Sequence, residues 1–291
     1  MTSRTTPPTT APHRLTLSAA EYAYLAGRLA LRMPPGWEPE PNAEAGAVPA
    51  ELAERGVLRG DGDLLAVHPS VAMNLQILAR PQVMLDTTTT IGTEGRHGLH
   101  ALAGPLGASL FALADGGVEL SLFAATDLGR ELARAVVSAE DTGILAILGH
   151  GEAAEPPAGT VPLAALHELG VAELLRDADP DASAEVLAGL ALSPEEAALA
   201  KRVTERTDGG LVCLVTVRMA DGLPDSLSDG LSDADTVRAA RVTWLHTDAG
   251  WSGIRPEPDP AGRRLVRLEP VDRTDLGVWV APYVAEALSN G

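Results

Sequence analysis

Apolar positions along the chain switch between helical spacing and strict alternation, and the switches predict its elements. After Leu15-Thr-Leu-Ser18, Ser18 and Glu21 are spaced as a capping box, and Leu17 and Tyr22 as a hydrophobic staple, so a helix starts at Ser18. Tyr22, Leu25 and Leu29 share one helical face, and Pro34-Pro35-Gly36 ends the element. Val48-Pro49 opens a short helix ending near Gly56-Val57, and another runs from about Ser70 to Arg80. Alternation then takes over. Val83, Leu85, Thr87, Thr89 and Ile91 fall on one face of a strand, a second strand lies near Ala108 to Leu113, and Val118, Leu120 and Leu122 mark a third, with Asp115-Gly116-Gly117 turning between the last two.

The second half repeats this order. Val161-Pro162 opens a helix ending near Gly170-Val171, and Ser193, Pro194 and Glu196 start another with a second capping box. Strands are expected over Leu211 to Met219, Val237 to His246 and Leu265 to Leu268, with Trp251 to Arg255 as a short extra one. Each strand group leads into a helix, at Asp127-Leu128-Gly129 and at Asp275-Leu276-Gly277, a repetition that an Asp N-cap explains locally. The alternative to duplication is coincidence among common helix-start and turn signals. The expected organisation is a tail over 1–14, an α+β lobe over 15–148, a linker over 149–160 and a similar lobe over 161–291. Three strands make a thin core, so the two half-sheets are expected to unite into one larger antiparallel sheet.

Composition narrows the function. With 45% apolar but only 3% aromatic residues, the core must be mainly Leu, Val and Ala, and the single lysine, Lys201, indicates a GC-rich genome. A formal charge of −18 argues against binding to phosphate backbones or anionic membrane surfaces. That weighs against reading Ala50 to Pro81 as a winged helix, whose recognition helix offers Asn74, Gln76 and only one cation, Arg80. Cys213, in Leu-Val-Cys-Leu-Val, reads as a buried structural thiol. Met1 to Pro12 lacks an apolar leader segment and no apolar run is long enough to span a bilayer, so a cytoplasmic address without membrane insertion is expected.

Chemistry is sparse. His97 and His100 sit three apart with no accompanying Glu or third ligand, and Gly92, Gly95 and Gly98 around them favour a surface hairpin loop. His150 lies in the linker. No nucleophile elbow, phosphate-binding loop or dinucleotide fingerprint occurs, so neither a catalytic residue nor a metal or other cofactor is assigned.

Several segments together carry a resemblance. Leu52-Ala-Glu-Arg-Gly-Val-Leu58, Val67-His-Pro-Ser-Val-Ala72, Leu78-Ala-Arg-Pro81 with the polar strand after it, Gly117-Val-Glu-Leu-Ser-Leu122 and the Asp127-Leu-Gly helix resemble the EspG proteins of type VII (ESX) secretion loci. So does the opening Leu15-Thr-Leu-Ser18 helix. The likeness is clear from about Leu15 to Val137 and continues more weakly by element order. It implies a mixed α/β fold of two quasi-twofold lobes, with a central antiparallel sheet and helical bundles. It also implies a cytosolic chaperone, not an enzyme, that holds a secreted helical substrate such as a PE-PPE heterodimer or its functional equivalent. The alternative is a non-enzymatic regulatory or structural interaction protein unrelated to secretion.

Candidate contact residues follow from what such a partner needs. A helical tip with exposed apolar residues requires a concave, partly apolar cover. Trp244 and Trp251 are the candidate anchors, their alternative role being core; Arg241 and Thr243 occupy the opposite face of the strand that carries Val242 and Trp244. The acidic stretch Asp221 to Thr236 has no basic residue and reads as a solvated hairpin loop, while the spacing of Leu223, Leu227 and Leu231 also permits ordering on a partner.

Overall fold

The computed structural model describes residues 14–40, 47–60, 65–138, 155–175, 178–190, 192–218, 237–259 and 262–289. The expected tail before Arg14, most of the linker, and the acidic segment with Leu223, Leu227 and Leu231 lie outside the described residues.

The first half runs β1 (Arg14–Leu17), α1 (Ala19–Arg28), α2 (Val48–Glu54), β2 (Leu58–Arg59), β3 (Ala66–Val67), α3 (Pro69–Ala79), β4 (Val83–Ile91), β5 (Glu94–Ala103), β6 (Leu106–Ala112), β7 (Val118–Ala124) and α4 (Leu128–Ala133). The second runs β8 (Gly159–Pro162), α5 (Leu163–Leu175), α6 (Pro180–Gly189), α7 (Pro194–Arg206), β9 (Thr207–Arg218), β10 (Val237–Thr247), β11 (Gly250–Glu257), β12 (Leu265–Val271) and α8 (Leu276–Ser289). Ten strands form one antiparallel sheet in the order β1-β7-β6-β5-β4-β9-β10-β11-β12-β8, and β2 and β3 make a small separate ribbon. Read outward from the β4–β9 seam the two half-sheets match strand for strand, which is the quasi-twofold arrangement of an α+β fold.

Both capping boxes form. Ser18 N–H donates to Glu21 at 2.8 Å while Ser18 Oγ accepts from Glu21 N–H at 3.2 Å, and Ser193 and Glu196 repeat those contacts. Leu17 and Tyr22 are both buried, completing the staple. Arg55 then ties α2 to α1 through Glu21 at 2.6 Å.

Several elements depart from the sequence reading, among them α6 (Pro180–Gly189), which it did not foresee. The segment around His97 and His100 is strand β5, paired along β4 from Val83↔Leu102 to Ile91↔Glu94. Gly98 concealed it, and its glycine is needed because a Cβ there would stand 2.7 Å from the ring of Phe111 on β6. Residues 250–257 form a full strand, β11, paired on both sides. Val161-Pro162 ends edge strand β8, which starts at Gly159 inside the expected linker, and the helix that follows runs on to Leu175. By place in the sheet β8 and α5 therefore correspond to β1 and α1, so matching Val161-Pro162 with Val48-Pro49 slipped the repeat by one element.

The repeated Asp-Leu-Gly has a tertiary cause. Asp127 makes no capping hydrogen bond and instead pairs with Arg130 at 3.1 Å, whereas Asp275 accepts from Asp272 N–H at 2.8 Å. The glycines are what the two copies share in use. A Cβ on Gly277 would lie 2.8 Å from Gly129 Cα, so α4 and α8 meet backbone to backbone.

These helices cover one face of the central strands. Val83 and Leu85 of β4, Leu211, Cys213 and Val215 of β9, and Val242 and Trp244 of β10 pack there with Leu132, Leu276, Trp279 and Val280 of the two helices. On the opposite face α1, α2 and α3 seal β5, β6 and β7 through Leu25, Leu52, Leu75, Leu78, Leu99, Leu110 and Leu120. In the second half α5 and α7 seal the outer strands through Ala165, Leu199, Val203, Val266 and Leu268.

Candidate functional site

The two bundles lie on the outer strands and leave the middle of that second face open among the described residues. Strict alternation makes β4, β9 and β10 send Val83, Leu85, Cys213, Val242 and Trp244 under α4 and α8, and their intervening residues outward. Those outward residues form cross-strand rows: Met84–Thr216–Ala239, Asp86–Leu214–Arg241 and Thr88–Val212–Thr243. Leu214 stands at the centre and is 42% exposed, unusual for a large apolar side chain in the middle of a ten-stranded sheet.

The geometry suits a helix. Three strands span about 10 Å across the sheet, and a helix with side chains is about 10–12 Å wide. The floor offers Leu214 and Val212 for apolar contact, hydroxyls on Thr88, Thr216 and Thr243, and opposite charges on Asp86 and Arg241 beside Leu214. Fully burying such a side chain is worth about 1.5–3 kcal/mol, so covering what Leu214 exposes contributes roughly 1 kcal/mol.

One rim is built by the loop after α1. The Trp37 ring packs against His97 with centroids 4.2 Å apart and the planes tilted by 37°, and both hold Asp86, His97 Nε2 at 2.8 Å and Trp37 Nε1 at 3.4 Å. Tyr22 fixes that loop by donating its hydroxyl to the Trp37 carbonyl at 2.8 Å; burial, reinforced by the negative charge of Glu38, raises the phenol's pKa and keeps it protonated as a donor.

Of the described candidate residues, Arg241 lies on the open face and the two tryptophans do not. Trp244 is fully buried, 5.9 Å from Trp279 and 6.3 Å from Trp251 between ring centroids. Trp251 is also buried, donates Nε1–H to the Val137 carbonyl at 3.2 Å and packs edge-on to His246. Neither ring is exposed as a surface anchor, because α4 and α8 close the face they share. Leu227 and Leu231 lie outside the described residues. Sequence reasoning missed Leu214, Asp86, His97 and Trp37. The signal for Leu214 was its place in the same strand face as Val212, opposite Cys213.

Beneath α4 lies a polar row. His100 is completely buried and its pKa is pushed down to about 4, burial being the main cause. Its Nε2 lies 3.3 Å from the Glu131 carbonyl, while His100 Nδ1, Ser109 Oγ, Ser121 Oγ and Glu131 Oε1 have no hydrogen-bond partner among the described residues. The serine-to-histidine hydrogen bond that nucleophilic catalysis requires is not made. Among the described residues no three His, Cys, Asp or Glu side chains are grouped to hold a metal ion, and no helix is long and apolar enough to cross a membrane. Cys213 is buried, and burial raises its thiol pKa to about 11, away from reactivity.

No family model matches the chain, and no curated protein does. Among solved structures it is similar to the Mycobacterium tuberculosis type VII secretion system chaperone EspG5, determined in complex with a PE25-PPE41 dimer: the TM-score is 0.59 at 15% identity, over 92% of this chain and 95% of that one. At this identity the likeness is one of fold. The EspG-like architecture that the sequence resemblance implied is thus borne out.

Proposed function

We propose that this chain is a cytoplasmic chaperone that covers the helical tip of a type VII secretion substrate, of the PE-PPE kind, and keeps it soluble until export. The observation that carries the reading is the centre of the sheet, which no described residue covers: Leu214 is exposed between Asp86 and Arg241, on a floor about one helix wide. The fold shared with a chaperone solved on a PE-PPE dimer supports it. The partner contributes an apolar helical end to Leu214 and Val212, with polar groups facing the threonines and the two charges.

The test is co-expression with helical secretion pairs from the same genome, followed by affinity capture, mass spectrometry and size-exclusion chromatography. A stoichiometric complex is expected, and Leu214→Asp should weaken it about tenfold or more by placing a charge where an apolar contact forms. Arg241→Glu serves as a second variant that leaves the apolar floor intact. If wild-type protein elutes as a free monomer beside every such pair, or if both folded variants capture the partner undiminished, the reading is wrong.

A further inference from the structure

A second surface stands apart from the open sheet face, at the outer end of the first half. There a cavity of about 960 Å³ lies between β7 and the α2–α3 region. Leu106, Leu120 and Leu122 supply apolar lining, and Arg14, Arg55, Arg59 and Arg130 stand around it. Asp127 is the one acidic side chain among these described lining residues. For a chain of formal charge −18 this is, among the described residues, a local reversal of sign.

The cations are not equally committed. Arg55 is held by Glu21 and the Thr16 carbonyl, and Arg130 by Asp127. Arg14 and Arg59 are exposed and have no ion-pair partner among the described residues. An independent feature lies at the same cavity. Asn74, on α3, is 2% exposed and lines it; its Nδ2 donates to the Ser121 carbonyl at 2.7 Å, while its Oδ1 has no partner among the described residues. A buried acceptor left unmet is destabilising, and a ligand N–H would satisfy it.

We propose that this groove binds an extended acidic peptide segment of a partner protein. A peptide N–H meets Asn74 Oδ1, carboxylates meet the guanidinium groups of Arg14 and Arg59, and apolar side chains of the peptide rest on Leu120 and Leu122. Charge complementarity selects acidic sequence, and the leucine floor and the single amide acceptor select peptide over a phosphate polymer. The site does not depend on the proposed chaperone reading.

Fluorescence anisotropy on the full chain tests it, with a fluorescein-labelled peptide of alternating Glu and Leu, about eight residues long and so roughly 26 Å when extended. Saturable binding is expected, weakened at least about tenfold in Arg14→Ala/Arg59→Ala, where two charge-assisted contacts are lost. Asn74→Leu should weaken it as well, and circular dichroism checks that each variant is folded. Leu214→Asp should bind the peptide as wild type does, which separates this site from the open sheet face. The proposal is overturned by an absence of saturable binding, by equal binding of the peptide with Lys in place of Glu, or by an unchanged affinity in folded Arg14→Ala/Arg59→Ala. Preferential binding of a single-stranded oligonucleotide in the same groove would overturn it too.

Discussion

The meeting of α4 and α8 makes an unequal prediction for two equivalent glycines. Gly129 and Gly277 each follow an Asp-Leu pair at a helix start, so alanine at either gains at most about 1 kcal/mol of helix propensity. Their surroundings differ. A Cβ on Gly129 would stand 3.9 Å from Gly277 Cα, an ordinary contact, whereas a Cβ on Gly277 would stand 2.8 Å from Gly129 Cα. That second contact is with backbone, so relief requires moving one helix away from the other over Leu132, Leu276 and Val280, all fully buried. Overpacking of this kind costs typically about 1–3 kcal/mol. Gly277→Ala is therefore expected to lose a net 1–2 kcal/mol or so, while Gly129→Ala stays within about 1 kcal/mol of wild type, on the stabilising side. Urea denaturation followed by tryptophan fluorescence reads this directly, since Trp244, Trp251 and Trp279 sit in the same core. The double variant should lose more than the two single effects combined, because the two methyl groups then oppose each other. Equal midpoints for the two single variants would refute the reasoning.

Three further outcomes are expected. His100 titrates near 4 in the folded chain and near its ordinary value of about 6.5 when unfolded, so below about 6.5 the unfolded state binds a proton that the folded state refuses. Stability should thus fall as pH drops from about 6.5 to 4, by on the order of 3 kcal/mol from this group, and urea midpoints across that range should show a shallower loss in His100→Leu. Trp251→Ala should cost about 3–5 kcal/mol by opening a cavity beside Trp244 and removing the donor to the Val137 carbonyl, measurable as a lowered urea midpoint. Ser18→Ala and Ser193→Ala should each cost about 1 kcal/mol, with faster amide exchange confined to the first turns of α1 and α7 respectively.

The parts of the fold written locally were legible. Ser18 and Ser193 announce helices through contacts three residues long, and the alternation of Val83 to Ile91 assigns the β4 face correctly because Val83, Leu85 and Ile91 all fall on one side of the strand. β5 was hidden because its glycine is compensated by Phe111 on the neighbouring strand, and β8 because four residues become a strand only by pairing with β12. The two tryptophans were ambiguous in a related way. Alternation along β10 separates Arg241 and Thr243 from Val242 and Trp244, but which side is closed depends on α4 and α8, far away in sequence. A tryptophan on an alternating strand reads equally as core or as anchor until that cover is known.

The β4–β9 seam bears on how the chain reaches its native state. It joins the halves through a continuous ladder from Val83↔Val217 to Ile91↔Gly209, between segments far apart in sequence. Until that ladder closes, each half carries an unpaired edge of nine or more residues, with buried-face valines and leucines beside it. Closure is a non-local event and belongs to the slow end of folding. The same register and side chains would serve β4 of one molecule and β9 of another equally well, so refolding at high chain concentration is expected to favour exchanged, domain-swapped pairs over the closed monomer.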